Sequence, residues 1–230
     1  MAHGWAVNKQ NKELLAAIDA FFDKEYRGVF YNITYKKYFK NKRNIRKHEK
    51  IRAGKTGRIS DYDHLFKKFA QRFGFDWRLI AAQAYAESRF DPRARSWVGA
   101  KGLMQIMPRT ARELGFRNVV KPRNGVHAGV KYLARMRDRF EPELEVVDRN
   151  SFALASYNAG YGHVLDARRM AESRGLDANR WSGNVERAML LLSHPKFAKQ
   201  ARYGYCRGSE PVGYVRKIFE HYQAFTRASK

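Results

Sequence analysis

Between Trp77 and Ala86 only Arg78 and Gln83 are strongly polar. A stretch that is apolar almost all round is a buried helix, and Asp76 in front of it supplies an N-cap. The segments on either side are one-sided instead. After Asp61, expected to open a helix, Leu65, Phe66, Phe69 and Phe73 recur at helical spacing until Gly74 closes it. Further helices are expected from Thr110 to Leu114 behind Pro108, from Asn124 to Phe140, from Arg149 to Tyr157 with Asp148 as cap, from Tyr161 to Ser173 and from Asn184 to Ser193. Pro211 is expected to open a last helix carrying Val212, Val215, Ile218, Phe219 and Tyr222. Near the N-terminus, Leu14, Leu15, Ile18, Phe21 and Phe22 predict a helix over 12–24; Gly28 breaks it, and Val29 to Phe39 suits a second. Trp5-Ala6-Val7 suits a short strand, and no strand alternation follows residue 10. The pattern is that of a mainly α protein: a helical domain with long functional loops, preceded by a short helical segment.

The 230 residues fit one or two domains, and a hydrophobic fraction of 44% supports a substantial core. No run approaches the ~18–20 apolar residues that span a bilayer. Met1 to Trp5 lacks the basic start and apolar core of a secretion signal and reads as an internal start. Cys206 is the only cysteine, which excludes an intramolecular disulfide and argues against a cysteine-built metal site. The histidines are scattered, so no metal ligand set and no cofactor is expected.

Charge changes the picture more. The net +24 implies attraction to polyanions. Between Lys36 and Arg58 eleven basic residues face one acid, Glu49. A nucleic-acid module is the rival this raises. The basic run has no aromatic interleaving after Phe39 and no nucleic-acid motif, so a solvated basic linker is expected and no specific nucleic-acid partner. The expected division is 1–41 as a first segment, 42–58 as the linker and 59–230 as the catalytic domain. Some forty residues hold too little apolar surface to fold well alone.

Glu87 stands at the C-terminal end of the apolar helix, facing Ile80, Gln83 and Ala84. Desolvation and the helix dipole both favour its protonated form. A carboxylic acid still protonated near neutral pH is what general acid catalysis needs. Ser88-Arg89-Phe90-Asp91-Pro92 ends the helix, and Gly99-Ala100-Lys101-Gly102 follows as a turn that lets backbone approach a ligand. Leu103-Met104-Gln105-Ile106-Met107-Pro108 comes next, and Ala155-Ser156-Tyr157-Asn158-Ala159-Gly160, Asp166-Ala167-Arg168-Arg169 and Ala201-Arg202-Tyr203-Gly204-Tyr205 through Tyr214-Val215 lie downstream.

Taken together, over roughly residues 59–228, these blocks resemble the soluble lytic transglycosylase (SLT) domain family, and the last two resemble its membrane-bound lytic transglycosylase F subgroup. The resemblance implies a lysozyme-like fold with an active-site cleft. It also implies cleavage of peptidoglycan glycan strands without water, giving 1,6-anhydromuramyl ends, with Glu87 as acid and then base. It assigns substrate contacts to Ser88, Met104, Gln105, Tyr157, Asn158 and Tyr214, with the Tyr157 phenol bonded to Glu87 or to the sugar's acetamido group. Residues 1–41 resemble the tail of a solute-binding domain. For a longer protein the resemblance implies a periplasmic, cell-envelope location and peripheral outer-membrane association; from its charge, the basic linker is expected to help bind the anionic wall. Alternatives are a muramidase using water on the same scaffold and a non-catalytic wall-binding module. Two departures stand out: Ser156 replaces a common alanine, and Gly213 precedes Tyr214 where a bulkier polar residue is usual, which leaves the aim of Tyr214 open.

Overall fold

The structure, a computed structural model, describes residues 11–25 and 58–229. The strand expected at Trp5-Ala6-Val7, the helix expected from Val29 to Phe39 and the basic linker up to Gly57 fall outside these residues. The chain divides into two units, Met1–Arg52 and Ala53–Lys230. In the first, helix α1 (Lys12–Glu25) forms where the spacing predicts it.

The second unit is a succession of helices. α2 (Asp63–Phe73) begins two residues after the expected Asp61. Asp63 is the better starter because its carboxylate reaches back to the Ile59 and Ser60 N–H groups, both at 2.8 Å. Asp61 instead pairs with Arg58 in solvent. Gly74 closes α2 in the left-handed region (φ 71°), its N–H returning to the Ala70 carbonyl.

α3 (Trp77–Ser88) is the apolar helix, and the Asp76 carboxylate accepts the Arg78 N–H at 2.8 Å as an N-cap should. Every residue from Leu79 to Tyr85 is buried. α4 (Pro108–Glu113) and α5 (Pro122–Arg137) each start on a proline at the first helical position, earlier than the apolar pattern alone places them. α6 (Val146–Ala159) starts before Asp148, so Asp148 is not its cap; its carboxylate accepts the Trp181 N–H at 2.7 Å and ties α6 to the turn at Trp181–Val185. α7 (Tyr161–Glu172), α8 (Glu186–Leu191) and α9 (Pro195–Ala198) follow. α10 (Ser209–Ala228) starts two residues ahead of Pro211, which sits inside its first turn.

α3 is held between α2 and α10, and α6 packs on α5, α7 and α10. This arrangement explains why α3 and α6 read as buried: each has neighbours on several sides. Phe66 and Phe69 from α2, Ile80 from α3 and Phe152 and Leu154 from α6 are fully buried, each worth about 1.5–3 kcal/mol in transfer free energy. Pairing outside helices, among the described residues, amounts to two bridges, Arg95 with Lys101 and Lys101 with Ile106. They close the loop that carries the Leu103-Met104-Gln105 motif.

Candidate active site

The last turn of α3 brings Glu87 to the end of a buried helix, where the side chain is part-buried. Burial pushes its carboxyl from the usual 4.5 up to about 7, with a hydrogen bond from Tyr214 and the charge of Lys217 pulling the other way. Tyr214 lies across from it on α10 and donates its hydroxyl proton to Glu87 Oε1 at 2.5 Å. Of the two partners expected for Tyr157, Glu87 or the sugar's acetamido group, Glu87 is taken by Tyr214 instead. Tyr214 reaches Glu87 with Gly213 before it, and a Cβ at 213 would meet nothing within 4 Å, so the site makes no steric demand for glycine there.

Tyr157 stands in the same site but donates elsewhere, to the Met104 carbonyl at 2.6 Å, with its ring against Tyr132 at 5.0 Å. Burial first, and then the nearby Glu87, hold both the Tyr157 and Tyr214 hydroxyls well above the usual phenol range. Both stay protonated at any working pH and serve as neutral donors.

The motif loop is pinned from both sides by its own carbonyls. The buried Ser88 hydroxyl lies 2.8 Å from the Leu103 carbonyl and 3.1 Å from the Ala84 carbonyl, so it bonds backbone rather than the Glu87 carboxylate. Met104, expected on the cleft wall, is fully buried: a Cβ on Gly129 of α5 would fall 2.4 Å from its own Cβ. Gly102 is required by the chain's own backbone rather than by a ligand, because the Val119 carbonyl oxygen occupies the space its Cβ would take, at 2.3 Å.

Gln105 keeps a left-handed backbone (φ 45°) and donates its side-chain amide to the Ala94 and Gly102 carbonyls at 3.1 and 2.9 Å. That spends its donors and leaves its amide oxygen with no hydrogen bond among the described residues. Arg89 and Phe90, just past Glu87, share this uncommon backbone (φ 55° and 61°). All three left-handed residues other than glycine among the described residues flank the site, where strained conformations tend to gather. Asn158 is exposed in the last turn of α6, beside Tyr157.

Gln83 has a place in the site that sequence reasoning did not give it. It is fully buried one turn before Glu87 and donates its amide to the Tyr214 hydroxyl at 3.1 Å. The signal was its position four residues before Glu87 as a polar interruption of an apolar helix. Asp166, inside one of the quoted blocks, is also buried; its oxygens accept the Arg202 and Tyr203 N–H groups at 3.0 and 2.7 Å and pair with Arg169. It fixes the segment that leads into α10, the helix bearing Tyr214. The site thus offers one carboxyl poised near neutrality, two buried phenols, and no second carboxylate among the groups that perturb Glu87.

The family described as "Transglycosylase SLT domain" matches residues 64–179. A protein of Desulfosudis oleivorans named membrane-bound lytic murein transglycosylase F is 40% identical over 225 residues, covering 95% of this chain and 48% of its own length. One of Alkalilimnicola ehrlichii, membrane-bound lytic murein transglycosylase F 1, is 42% identical over 173 residues, covering 75% and 35%. The chain therefore spans about half the length of the first and about a third of the second. Among solved structures, the 70 kDa soluble lytic transglycosylase of Escherichia coli matches with a TM-score of 0.51 and 26% identity, covering 76% of this chain and 25% of that one. An inactive variant of lytic transglycosylase Slt from Pseudomonas aeruginosa matches in fold at a TM-score of 0.51 and 22% identity, covering 73% and 24%.

Proposed function

The chain belongs to the transglycosylase SLT-domain family, and we propose that it cleaves the glycan strands of peptidoglycan without water, at the β-1,4 bond between N-acetylmuramic acid and N-acetylglucosamine. The carrying observation is the lone Glu87, poised at about 7 and bonded to Tyr214. Protonated Glu87 gives its proton to the glycosidic oxygen as the bond from muramyl C1 breaks. The muramyl 2-acetamido oxygen shares the positive charge at C1. Glu87, now a carboxylate, takes the proton of the muramyl C6 hydroxyl, whose oxygen closes on C1 to form the 1,6-anhydro ring. The proton regained by Glu87 restores the acid, and no water enters. Tyr157 and Tyr214 supply neutral donors as charge moves, and the amide oxygen of Gln105 and the exposed amide of Asn158 are available to sugar groups.

A hydrolase on this scaffold needs a water opposite the leaving group and usually a second carboxylate to activate it. An intramolecular hydroxyl holds a large effective-concentration advantage over water, which favours ring closure. A digest of purified peptidoglycan tests this. Products ending in 1,6-anhydro-N-acetylmuramic acid, resistant to borohydride, are expected. Reducible muramic ends carrying labelled oxygen from water would make the protein a hydrolase.

The relatives' names support a cell-envelope location, and no helix among the described residues is long and apolar enough to cross a membrane. The proposal includes periplasmic action, peripheral outer-membrane association in a longer protein, and a basic stretch at 42–58 that binds the anionic wall.

A further inference from the structure

The fully buried amide of Gln83 is half used. Its nitrogen donates to the Tyr214 hydroxyl, while its oxygen is buried with no partner. An unpaired buried acceptor is costly, and an apolar side chain of the same volume avoids that cost, so what the amide contributes is its donor. That donor acts on a hydroxyl with one proton to give. With the Gln83 N–H occupying a lone pair of Tyr214, the phenolic proton turns to Glu87 Oε1. The order N–H to O–H to carboxylate runs in one direction, and each bond strengthens the next.

We propose that Gln83 is a positioning residue: by donating to Tyr214 it commits the single phenolic proton to Glu87 Oε1 and leaves Oε2 to carry the transferable proton. Oε1 is then the acceptor whether Glu87 is acid or carboxylate, and Oε2, which has no hydrogen-bond partner among the described residues, is the oxygen left to meet the glycosidic oxygen. This assignment rests on Glu87 being the acid. The titratable groups facing Glu87 are Tyr214 and Lys217 from α10 and Tyr157 from α6; a change at Gln83 removes none of them and touches only Tyr214 directly.

The test is the pH profile of kcat/KM on purified glycan strands for the intact chain and for Gln83→Met and Gln83→Leu, which keep bulk and remove the donor. The fall in activity at high pH reports loss of the Glu87 proton. Weakening the Tyr214 bond favours the protonated form, so this limb is expected to move up by about half a pH unit or more, with thermal stability unchanged or higher. In a Tyr214→Phe background the same substitutions are expected to move it no further, because the path from Gln83 to Glu87 is already cut. An unmoved limb in folded Gln83→Met and Gln83→Leu, or an equal shift with and without the Tyr214 hydroxyl, overturns the assignment. Glu87→Gln separates the two levels: an active Glu87→Gln removes Glu87 as the acid, whereas an inactive Glu87→Gln beside an unmoved Gln83 profile removes only the role of Gln83.

Discussion

At the scale of single residues, Glu87 places a cost on the fold as well as being the proposed acid. Its carboxyl binds a proton more tightly when folded, at about 7 against the usual 4.5. The stability this provides is fully present below the unfolded value and is lost as pH rises through about 7. The difference amounts to about 3 kcal/mol at most. Glu87→Gln keeps the shape and removes the titration. It is expected to match the wild type near pH 4 and to exceed it near pH 8 by up to about 3 kcal/mol in denaturant unfolding; equal differences at both pH values contradict this. The same variant is expected to lose about 10²–10⁴-fold or more in glycan cleavage. Glu87 was legible in the sequence because desolvation follows from its own helix. The partner of its carboxylate was not. Whether Tyr157 or Tyr214 donates depends on how α10 crosses α3, a long-range relation that no local spacing encodes, and the role of Gln83 depends on Tyr214 in turn.

At the scale of elements, the apolar runs that fall within the described residues read correctly as helices, and the misplaced starts have identifiable causes. Spacing does not show which N–H groups an acid accepts: Asp63, not Asp61, takes those ahead of α2, and Asp148 takes that of Trp181 rather than capping its own helix. Prolines at the first helical position moved α4 and α5 forward. The motif loop hangs between helices through the Leu103 and Met104 carbonyls, so packing beneath it bears on the site. Gly129 on α5 is the point where a helix meets the Met104 side chain: the Met104 Cβ and Cγ lie 2.4 and 2.5 Å from where its own Cβ would stand. No rotamer change moves a Cβ, so Gly129→Ala has to shift backbone, and the Met104 loop is expected to move before α5 does. The expected cost is about 1–3 kcal/mol of stability, read from the urea midpoint. A loss of activity beyond the unfolded fraction is also expected, because the Met104 carbonyl that holds Tyr157 moves with it. Normal stability with normal activity would show that α5 yields instead.

At the scale of the whole molecule, the proposed chemistry and the densest basic run lie in different stretches. Glu87, Tyr157, Tyr214 and Gln83 all belong to Ala53–Lys230, while most of the basic run precedes it. A shortened chain has to keep Ile59, which is 1% exposed and whose N–H is held by Asp63, so the cut belongs at Ala53 rather than at Ser60. That chain is expected to fold, by circular dichroism, and to release the same products from isolated glycan strands. Binding to intact wall sacculi is expected to weaken, because the removed run acts through screened charge. The screening length falls from about 10 Å at 0.1 M salt to about 3 Å at 1 M. The intact chain is therefore expected to lose affinity for sacculi as salt rises. Replacing Lys42, Arg43, Arg46 and Lys47 by glutamine is expected to flatten that dependence without altering the products. Sedimentation with sacculi across a salt series reads both effects. A salt-independent pull-down contradicts a role for the basic run in wall binding, and tight sequence-selective DNA binding at physiological salt would give that stretch a different partner.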